Sequence, residues 1–409
     1  MIICKISVIV TCSSFNLLFN QSINQSINQS INQFNQEDKN SSYIRKFEAE
    51  VASKFGKEDA VFMPSGGMAQ SIALLIHDAT DGLQNRGRFI CHHTSHLLLW
   101  EEHSYSKLLG IEAIEIDTRQ SPIRPGFPVP PMRLSDVVKT IDNEKDARAQ
   151  SNSLPKPGPT SLFLELPHRE LGGKLTPWDD VLSIGELCKK EGINFHCDGA
   201  RIFEASAGYG KNLDELARPF DSVYISFYKG LGAVSGAMLM GSNEFCSEAR
   251  IWLRRFGGNL YTLLPYAVSC WAGYNRHVLG HGNGNGNGNG KCNPMSFEQK
   301  FKKLQGITKK IETETDFTSI AYFDPAKPET NMIHVYLKVP FEDCNEIRDK
   351  VAQKCGFNLF TRLRQIPESD AAFQAGYRAK FELTIGECNG SVKDDVFVQV
   401  WTDFCTSIP

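Results

Sequence analysis

Residues 193–232 read INFHCDGARIFEASAGYGKNLDELARPFDSVYISFYKGLG. Two apolar runs, Ile193–Cys197 and Ser222–Phe227, have the length of buried strands. The first leads into Asp198 and the second into Tyr228-Lys229. Between them Leu213–Ala217 reads as a short helix. Asp198 and Lys229 are 31 residues apart, which suits one strand end, a helix and the end of another strand in the same sheet. Open α/β sheets place their ligands at such strand ends.

The same alternation extends outward. Ile44, Phe47, Val51 and Phe55 fall at near-helical spacing, with Gly56 as a stop. The run Ala60–Met63 then breaks at Pro64 into Ser65-Gly66-Gly67-Met68, and Met68, Ile72 and Leu75 mark a helix face. Arg88–Cys91, Ile111–Ile116 and Ser161–Leu166 read as further strands, whereas residues 118–160 are rich in proline and charge and hold surface structure. Asp179 is expected to cap a helix carrying Val181, Ile184 and Leu187 that ends at Gly192, and a further helix is expected over Glu244–Arg255. Strands interleaved with helices imply an α/β fold with a mainly parallel sheet covered by helices on both faces.

After residue 291 the pattern changes. Helices over Phe297–Thr313, Asp343–Cys355 and Lys393–Thr406 and strands over Met332–Val339 and Phe381–Gly386 suggest a smaller C-terminal α+β domain. The expected organisation is a low-complexity tail (1–42), a large domain (43–280), a Gly-Asn insert (281–291) and a small domain (292–409). The Gln-Ser-Ile-Asn repeat of the tail and the Gly-Asn run of the insert bury too little to offset chain entropy. Met1–Phe19 has one lysine and only a short apolar stretch, Ile6–Val10, with no evident small-residue cleavage site, so it reads poorly as a secretory signal.

The 409 residues carry 44 Lys and Arg against 47 Asp and Glu, a formal charge of −3. That balance lacks the basic footprint of a nucleic-acid partner. No apolar run approaches the ~20 residues of a membrane helix. The 12 cysteines form no C-x-x-C pair and no zinc spacing, so reduced packing cysteines in a cytoplasmic protein are expected.

Three strand-end features carry chemistry. Ser65-Gly66-Gly67 before a helix can cradle a phosphate, although glycine pairs usually just turn the chain. Asp198 can be a site acid or a local cap. Lys229, flanked by apolar residues, can be a desolvated nucleophile or a lysine that snorkels to solvent. Taken together they fit one cofactor. Pyridoxal phosphate needs a lysine for its aldehyde, an acid to keep its ring nitrogen protonated and a phosphate site. No G-x-G-x-x-G follows a strand, which argues against a nicotinamide enzyme.

The chain resembles the threonine aldolase group of the β-eliminating lyases, among the aminotransferase-like pyridoxal phosphate enzymes of fold type I. The likeness lies in Val61–Ala73, Thr94–Glu101, Glu165–Leu175, His196–Glu204 and Phe220–Gly241. It implies that Lys229 holds the cofactor, that Asp198 partners the ring nitrogen and that Ser65, Gly66 and Gly67 form the phosphate loop. The family usually has threonine where Gly67 stands. Arg201 matches the arginine near the cofactor hydroxyl and substrate carboxylate. His96 matches the histidine stacked on the ring, with His92 and His93 as rivals. His168 matches a histidine near the substrate hydroxyl, the alternative being a surface histidine beside Arg169.

Three departures stand against this pattern. The family's N-terminal Arg-Ser-Asp-Thr segment has no counterpart. Its Gly-Gly-Gly-Met-Arg motif appears as Gly257-Gly258-Asn259-Leu260-Tyr261. Its C-terminal carboxylate-clamping arginine has no matched counterpart; Glu382 lies near the expected place, with Arg378 or Arg364 as substitutes. The resemblance implies cleavage of the Cα–Cβ bond of a β-hydroxy-α-amino acid to glycine and an aldehyde, in a homodimer or homotetramer. β-Elimination or another lyase reaction on the same scaffold, or a catalytically silent relative, are the alternatives.

Overall fold

A computed structural model of the chain describes residues 43–80, 83–84, 87–120, 126–150, 157–280 and 294–408. The expected tail and Gly-Asn insert lie outside the described residues. Seven strands form one sheet: β1 (Asp59–Met63), β2 (Arg88–His92), β3 (Glu112–Ile116), β4 (Pro159–Glu165), β5 (Asn194–Gly199), β6 (Ser222–Ser226) and β7 (Ala237–Gly241). Their order is β3-β2-β4-β5-β6-β7-β1. All neighbours from β3 to β6 pair in parallel, and β7 runs antiparallel to both β6 and β1. The sheet is therefore mainly parallel, as the alternation of apolar runs predicts.

The helices of this unit include α1 (Tyr43–Lys54), α2 (Gly66–Asp78), α3 (His96–Leu99), α4 (Leu134–Ala149), α5 (Trp178–Glu191), α6 (Ile202–Tyr209), α7 (Asn243–Arg255) and α8 (Leu264–His277), and short helical turns lie at Ser104–Lys107 and, as expected, Leu213–Ala217. They cover both faces. Phe62, Ile90, Leu164, Phe195, Cys197, Val223 and Ile225 pack with Phe47 of α1, Ile184 of α5, Ile202 of α6 and Tyr274 of α8. Val61, Met63, Phe89, Phe163, Tyr224 and Leu239 pack on the opposite face with Ile72 and Leu75 of α2 and Ala249 of α7. Burial of each large apolar side chain contributes about 1.5–3 kcal/mol. Successive strand residues point to opposite faces. Because Cys197 faces α1 and α5, its neighbours His196 and Asp198 face α2.

Some elements differ from expectation. Pro177, not Asp179, is the N-cap of α5; Asp179 lies in the first turn, where an acid still favours the helix dipole. The proline-rich stretch 118–160 contains the 16-residue helix α4, which buries only Val137 and Ile141. Strand β7 follows a reversal at Gly236, whose φ of 118° and closeness to Phe62 and Cys270 exclude a larger residue.

A buried polar chain ties the α2 side of the sheet together. His196 Nε2 lies 3.0 Å from Gln70 Oε1, and Ser222 Oγ lies 2.6 Å from both His196 Nδ1 and His77 Nε2. One hydroxyl between two rings is satisfied when both rings are neutral. Burial accordingly pushes His77 down to about 3 and His196 well below its ordinary value. A histidine with a lowered folded pKa contributes stability that is present above ~6.5 and is lost as pH falls. The buried Glu48 carboxyl, raised to about 7, works in the opposite sense, so the informative quantity is a difference. The stability gap between the wild type and His77→Phe should shrink by about 2 kcal/mol from pH 6.5 to pH 5. Urea unfolding at both pH values checks this; a gap that does not move would contradict it.

The C-terminal unit has helices α9 (Phe297–Glu314), α10 (Phe341–Cys355) and α11 (Asp394–Thr406) on an antiparallel sheet of β8 (Ala321–Asp324), β9 (Met332–Leu337), β10 (Arg364–Gln365) and β11 (Ala379–Thr384), ordered β8-β9-β11-β10. Ile333, Val335, Phe381 and Leu383 face the helices, with Leu304, Ile307, Phe397 and Trp401 among their neighbours. The register pairs His334 with Glu382, Tyr336 with Lys380 and Lys380 with Arg364. These side chains share the other face, which meets the large unit. Among the described residues no helix is long and apolar enough to cross a membrane.

Candidate active site

In the strand order, β2 is flanked by β3 on one side and β4 on the other. The chain leaves β2 in one direction and β4 lies in the other, so a crevice opens at their C-terminal ends. At these ends stand His96, which opens α3 after β2, His168 after β4, Asp198 at the end of β5 and Lys229 after β6. The backbone N–H of His96 donates to Glu165 Oε1 at 2.6 Å across this crevice, and Glu165 is in register with Asp198.

Asp198 is 7% exposed and accepts a hydrogen bond from Ala200 N at 3.1 Å. That is the local turn bond expected of an acid before glycine, and it leaves the carboxylate without a guanidinium. Burial raises its pKa, the neighbouring Glu165 carboxylate adds to the rise, and Lys229 and His96 oppose it. Lys229 is half-buried, its Nζ 5.8 Å from the Tyr228 ring centroid. Its charge acts on Asp198, His96 and Glu204, so the amine and the aspartate share one cleft.

His96 opens to the cleft with 30% of its side chain exposed and its Nδ1 3.3 Å from Glu101 Oε1. Burial alone would lower its pKa, but Glu101 and Asp198 outweigh burial and raise it. His92 and His93 are placed differently. His92 is enclosed between Thr94 and Thr118, and His93 Nδ1 lies 3.2 Å from Ile116 O. Both stay below the ordinary histidine range through burial. His168 is not on the surface: it is 4% exposed, and its Nε2 lies 2.9 Å from Thr94 Oγ1 and 3.9 Å from Glu165 Oε2.

Ser65, Gly66 and Gly67 form the start of α2. Ser65 Oγ accepts from Met68 N at 3.3 Å, a capping role. A Cβ on Gly66 would run into the Tyr224 hydroxyl and lie 3.1 Å from that of Tyr228; one on Gly67 would lie 2.6 Å from Glu101 Oε2. Two tyrosine hydroxyls and the Glu101 carboxylate therefore pack directly against the N-terminus of α2, an approach that only glycine permits.

Arg201 precedes α6. Its Nη2 is 3.3 Å from Glu382 Oε1 and its Nη1 3.6 Å from Glu204 Oε1, while its buried Nε has no acceptor. Glu204 is fully buried behind Gly230, and neither oxygen has a donor. These orphaned atoms, the unclaimed Asp198 carboxylate, the nearby amine and the glycine cradle fit pyridoxal phosphate. Lys229 would hold its aldehyde carbon, Asp198 its ring nitrogen, Arg201 its ring oxygen, and the start of α2 with Tyr224 and Tyr228 its phosphate. Sequence reading missed Glu165, Glu101, Glu204, Tyr224 and Tyr228 as site residues. Only Tyr228 carried a local signal, its place beside Lys229.

A sequence profile described as β-eliminating lyase matches residues 30–339. The Arabidopsis thaliana protein named Probable low-specificity L-threonine aldolase 2 is 32% identical over 222 residues, 54% of this chain and 57% of that one. The chain spans about half the length of the curated relatives it matches. Among solved structures, a Listeria monocytogenes protein assigned as an L-allo-threonine aldolase aligns with a TM-score of 0.70 at 28% identity, covering 88% of this chain and 85% of its own. An Exiguobacterium protein assigned as an aromatic amino acid β-eliminating lyase/threonine aldolase aligns with a TM-score of 0.69 at 29% identity, covering 89% and 88%. The profile match takes in the glycine cradle, both strand ends and most of the chain, and by it the chain belongs to the β-eliminating lyase family.

Proposed function

We propose that the chain is a pyridoxal phosphate enzyme that splits the Cα–Cβ bond of a β-hydroxy-α-amino acid into glycine and an aldehyde. The observation that carries this reading is the meeting of Lys229, Asp198, His96 and Arg201 in one cleft beside the N-terminus of α2. When bound, the cofactor supplies an electron sink for the carbanion left at Cα. Asp198 holds a proton at the ring nitrogen and so keeps that sink strong. Arg201, with its unclaimed Nε, orients an anionic oxygen of the substrate or cofactor.

His168 is the base for the β-hydroxyl proton, directly or through a water. Its Nε2 is held by Thr94 at 2.9 Å, and Glu165 stands 3.9 Å away to stabilise the charge it gains. His96, on α3, would stand beside the cofactor ring, with its Nδ1 3.3 Å from Glu101 Oε1. Ser65, Gly66 and Gly67 hold the phosphate end.

The lack of a matched counterpart to the family's carboxylate-clamping arginine, with Glu382 near its expected place, favours keeping β-elimination as a second reading. Purified protein supplied with cofactor, L-threonine, L-allo-threonine and aromatic β-hydroxy amino acids separates the two. Equimolar glycine and aldehyde are expected; ammonia with a keto acid would replace this reading by elimination.

Val234 and Tyr261 are 72% and 94% exposed, in keeping with a homodimer or homotetramer that covers them. All nine described cysteines are unpaired and six are buried, in keeping with a reducing, cytoplasmic compartment.

A further inference from the structure

Glu204 is a buried acid for which the proposed chemistry has no use. It is the third residue of α6, is 1% exposed, and neither of its oxygens has a hydrogen-bond donor. Its Oε1 stands against Gly230, where a Cβ would lie 2.7 Å away, so the carboxyl sits behind the residue that follows Lys229. The cations that act on it are Arg201 at the start of the helix, Lys300 of α9 and Lys229. Arg201 Nη1 is 3.6 Å from Glu204 Oε1, close enough for attraction and too far for a hydrogen bond. Lys300 is turned to the Phe297 ring, 4.8 Å from its centroid, where Glu387 acts on it more strongly than Glu204 does.

The neighbouring carboxylates are held differently. Glu382 lies 3.3 Å from Arg201 Nη2 and 3.0 Å from Arg169 Nε, and Thr384 Oγ1 donates to it at 3.2 Å. Burial alone would raise the Glu382 carboxyl, but Arg201 and Arg169 outweigh burial and keep it below its ordinary value. Glu170 accepts from Arg169 Nη1 at 3.0 Å, from Arg364 Nη1 at 3.0 Å and from Trp100 Nε1 at 3.1 Å. Arg201, Arg169 and Arg364 therefore face Glu382, Glu170 and Glu204, and this series is neutral while Glu204 is ionised. An anionic oxygen arriving at the free Nε of Arg201 adds a fourth negative group. Glu382 and Glu170 are each bound by two guanidiniums. Glu204 has one at a distance and no hydrogen bond, and a buried carboxylate without donors is the costliest of the three to keep ionised.

We propose that Glu204 is a positioning residue that takes up a proton from solvent when an anionic oxygen settles on Arg201 and gives it back when that oxygen leaves. The carboxylate becomes a carboxyl, so the series is neutral in both states and Arg201 is released from Glu204 to face its ligand. Anion binding at Arg201 is thereby linked to pH: the ionised acid competes for the guanidinium and the protonated acid does not. Burial raises the Glu204 carboxyl and Arg201 only partly offsets this, so the change falls above the ordinary value of 4.5. This inference rests on the reading of the cleft as a cofactor site with Arg201 on an anionic oxygen.

The test uses the full chain and 4′-deoxypyridoxine 5′-phosphate, which keeps the ring oxygen, ring nitrogen and phosphate of the cofactor but has no aldehyde for Lys229. Its Kd is measured from about pH 5 to about pH 8 for the wild type and for Glu204→Gln, which copies the protonated acid in size and charge. The ionisations of the ligand and of Asp198 are common to both proteins, so the ratio of the two Kd values reports Glu204. The proteins should bind alike within about 2-fold at the acid end, and at the alkaline end Glu204→Gln should bind roughly 5–50-fold more tightly than the wild type. Glu204→Asn should follow Glu204→Gln, and Glu204→Asp should follow the wild type; this pair decides the matter should Glu204→Gln fail to fold. A merely structural acid would weaken binding on removal at every pH. A ratio that does not change with pH, or weaker binding by the neutral variants at the alkaline end, would overturn the role of Glu204 and leave the cofactor reading intact. No binding by the wild type at any pH would overturn both.

Discussion

Lys229→Ala protein is expected to fold with its sheet intact and to lose covalent cofactor attachment. The side chain leaves the end of β6 at the cleft, half-buried, and the hydrogen bonds that shape its loop are made by backbone: Phe227 N to Gly236 O at 3.1 Å and Ala233 N to Phe227 O at 2.9 Å. Removing the amine leaves those bonds in place, so stability should change little. Catalysis should fall by at least about 10³-fold, since the nucleophile that holds and releases the cofactor is gone. Asp198, Arg201 and the start of α2 would still hold the cofactor non-covalently. The measurement is borohydride reduction followed by gel filtration in denaturant, which strips cofactor that is not covalently attached. The wild type should keep the cofactor, and Lys229→Ala should lose it. A reducible adduct that persists in Lys229→Ala would assign attachment to another lysine.

Asp198→Asn separates binding from electronics. The amide is nearly the same size and can keep the turn bond to Ala200 N through its oxygen, so the fold is not at issue. It cannot hold a proton on a ring nitrogen as a carboxylate does. The cofactor should still attach to Lys229, whereas the carbanion-forming step should slow by roughly 10²–10³-fold, the scale of losing one preorganised electrostatic partner. Loss should appear in kcat and in kcat/KM alike, with substrate affinity little changed. His96 should respond too. Asp198 is one of the charges that raise its pKa, so the histidine limb of the pH–rate profile should move to lower pH. A variant with wild-type turnover would remove Asp198 from the ring nitrogen.

The parts of the site that were legible in the sequence are those written at strand ends. Apolar runs give the strands, and Asp198, Lys229, Ser65, Gly66 and Gly67 all stand within a few residues of the end of such a run. His96 needed the resemblance, since three histidines stand close together and only folding shows that His92 and His93 turn inward. The mainly parallel sheet was legible for the same reason. Strand β7 was not: Ala237–Gly241 is buried throughout and carries no period. Helix α4 was hidden because only two of its residues reach the core. Helix α8 went unread because its small residues, Ala267 and Cys270, provide the buried stripe with Tyr274.

The ion pairs of Arg169 with Glu382 and of Arg364 with Glu170 were beyond reach for a different reason. Arg169 and Glu382 are 213 positions apart, and Arg364 and Glu170 are 194 apart. Nothing local marks such pairs. Glu382 reads only as an acid near the expected place of an arginine until the register of β11 against β9 and β10 shows which residues share its face. Glu204 reads as one more acid on a short helix until its neighbours Gly230 and Arg201 enclose it.

Everything in the account depends on pyridoxal phosphate being attached at Lys229. The direct test is to incubate the purified wild-type protein with the cofactor, reduce with borohydride, digest and map the modified peptide by mass spectrometry. The account predicts one reduced pyridoxyl group, on the peptide that contains Ser226-Phe227-Tyr228-Lys229. No modified peptide, or a modification confined to other lysines, would contradict it.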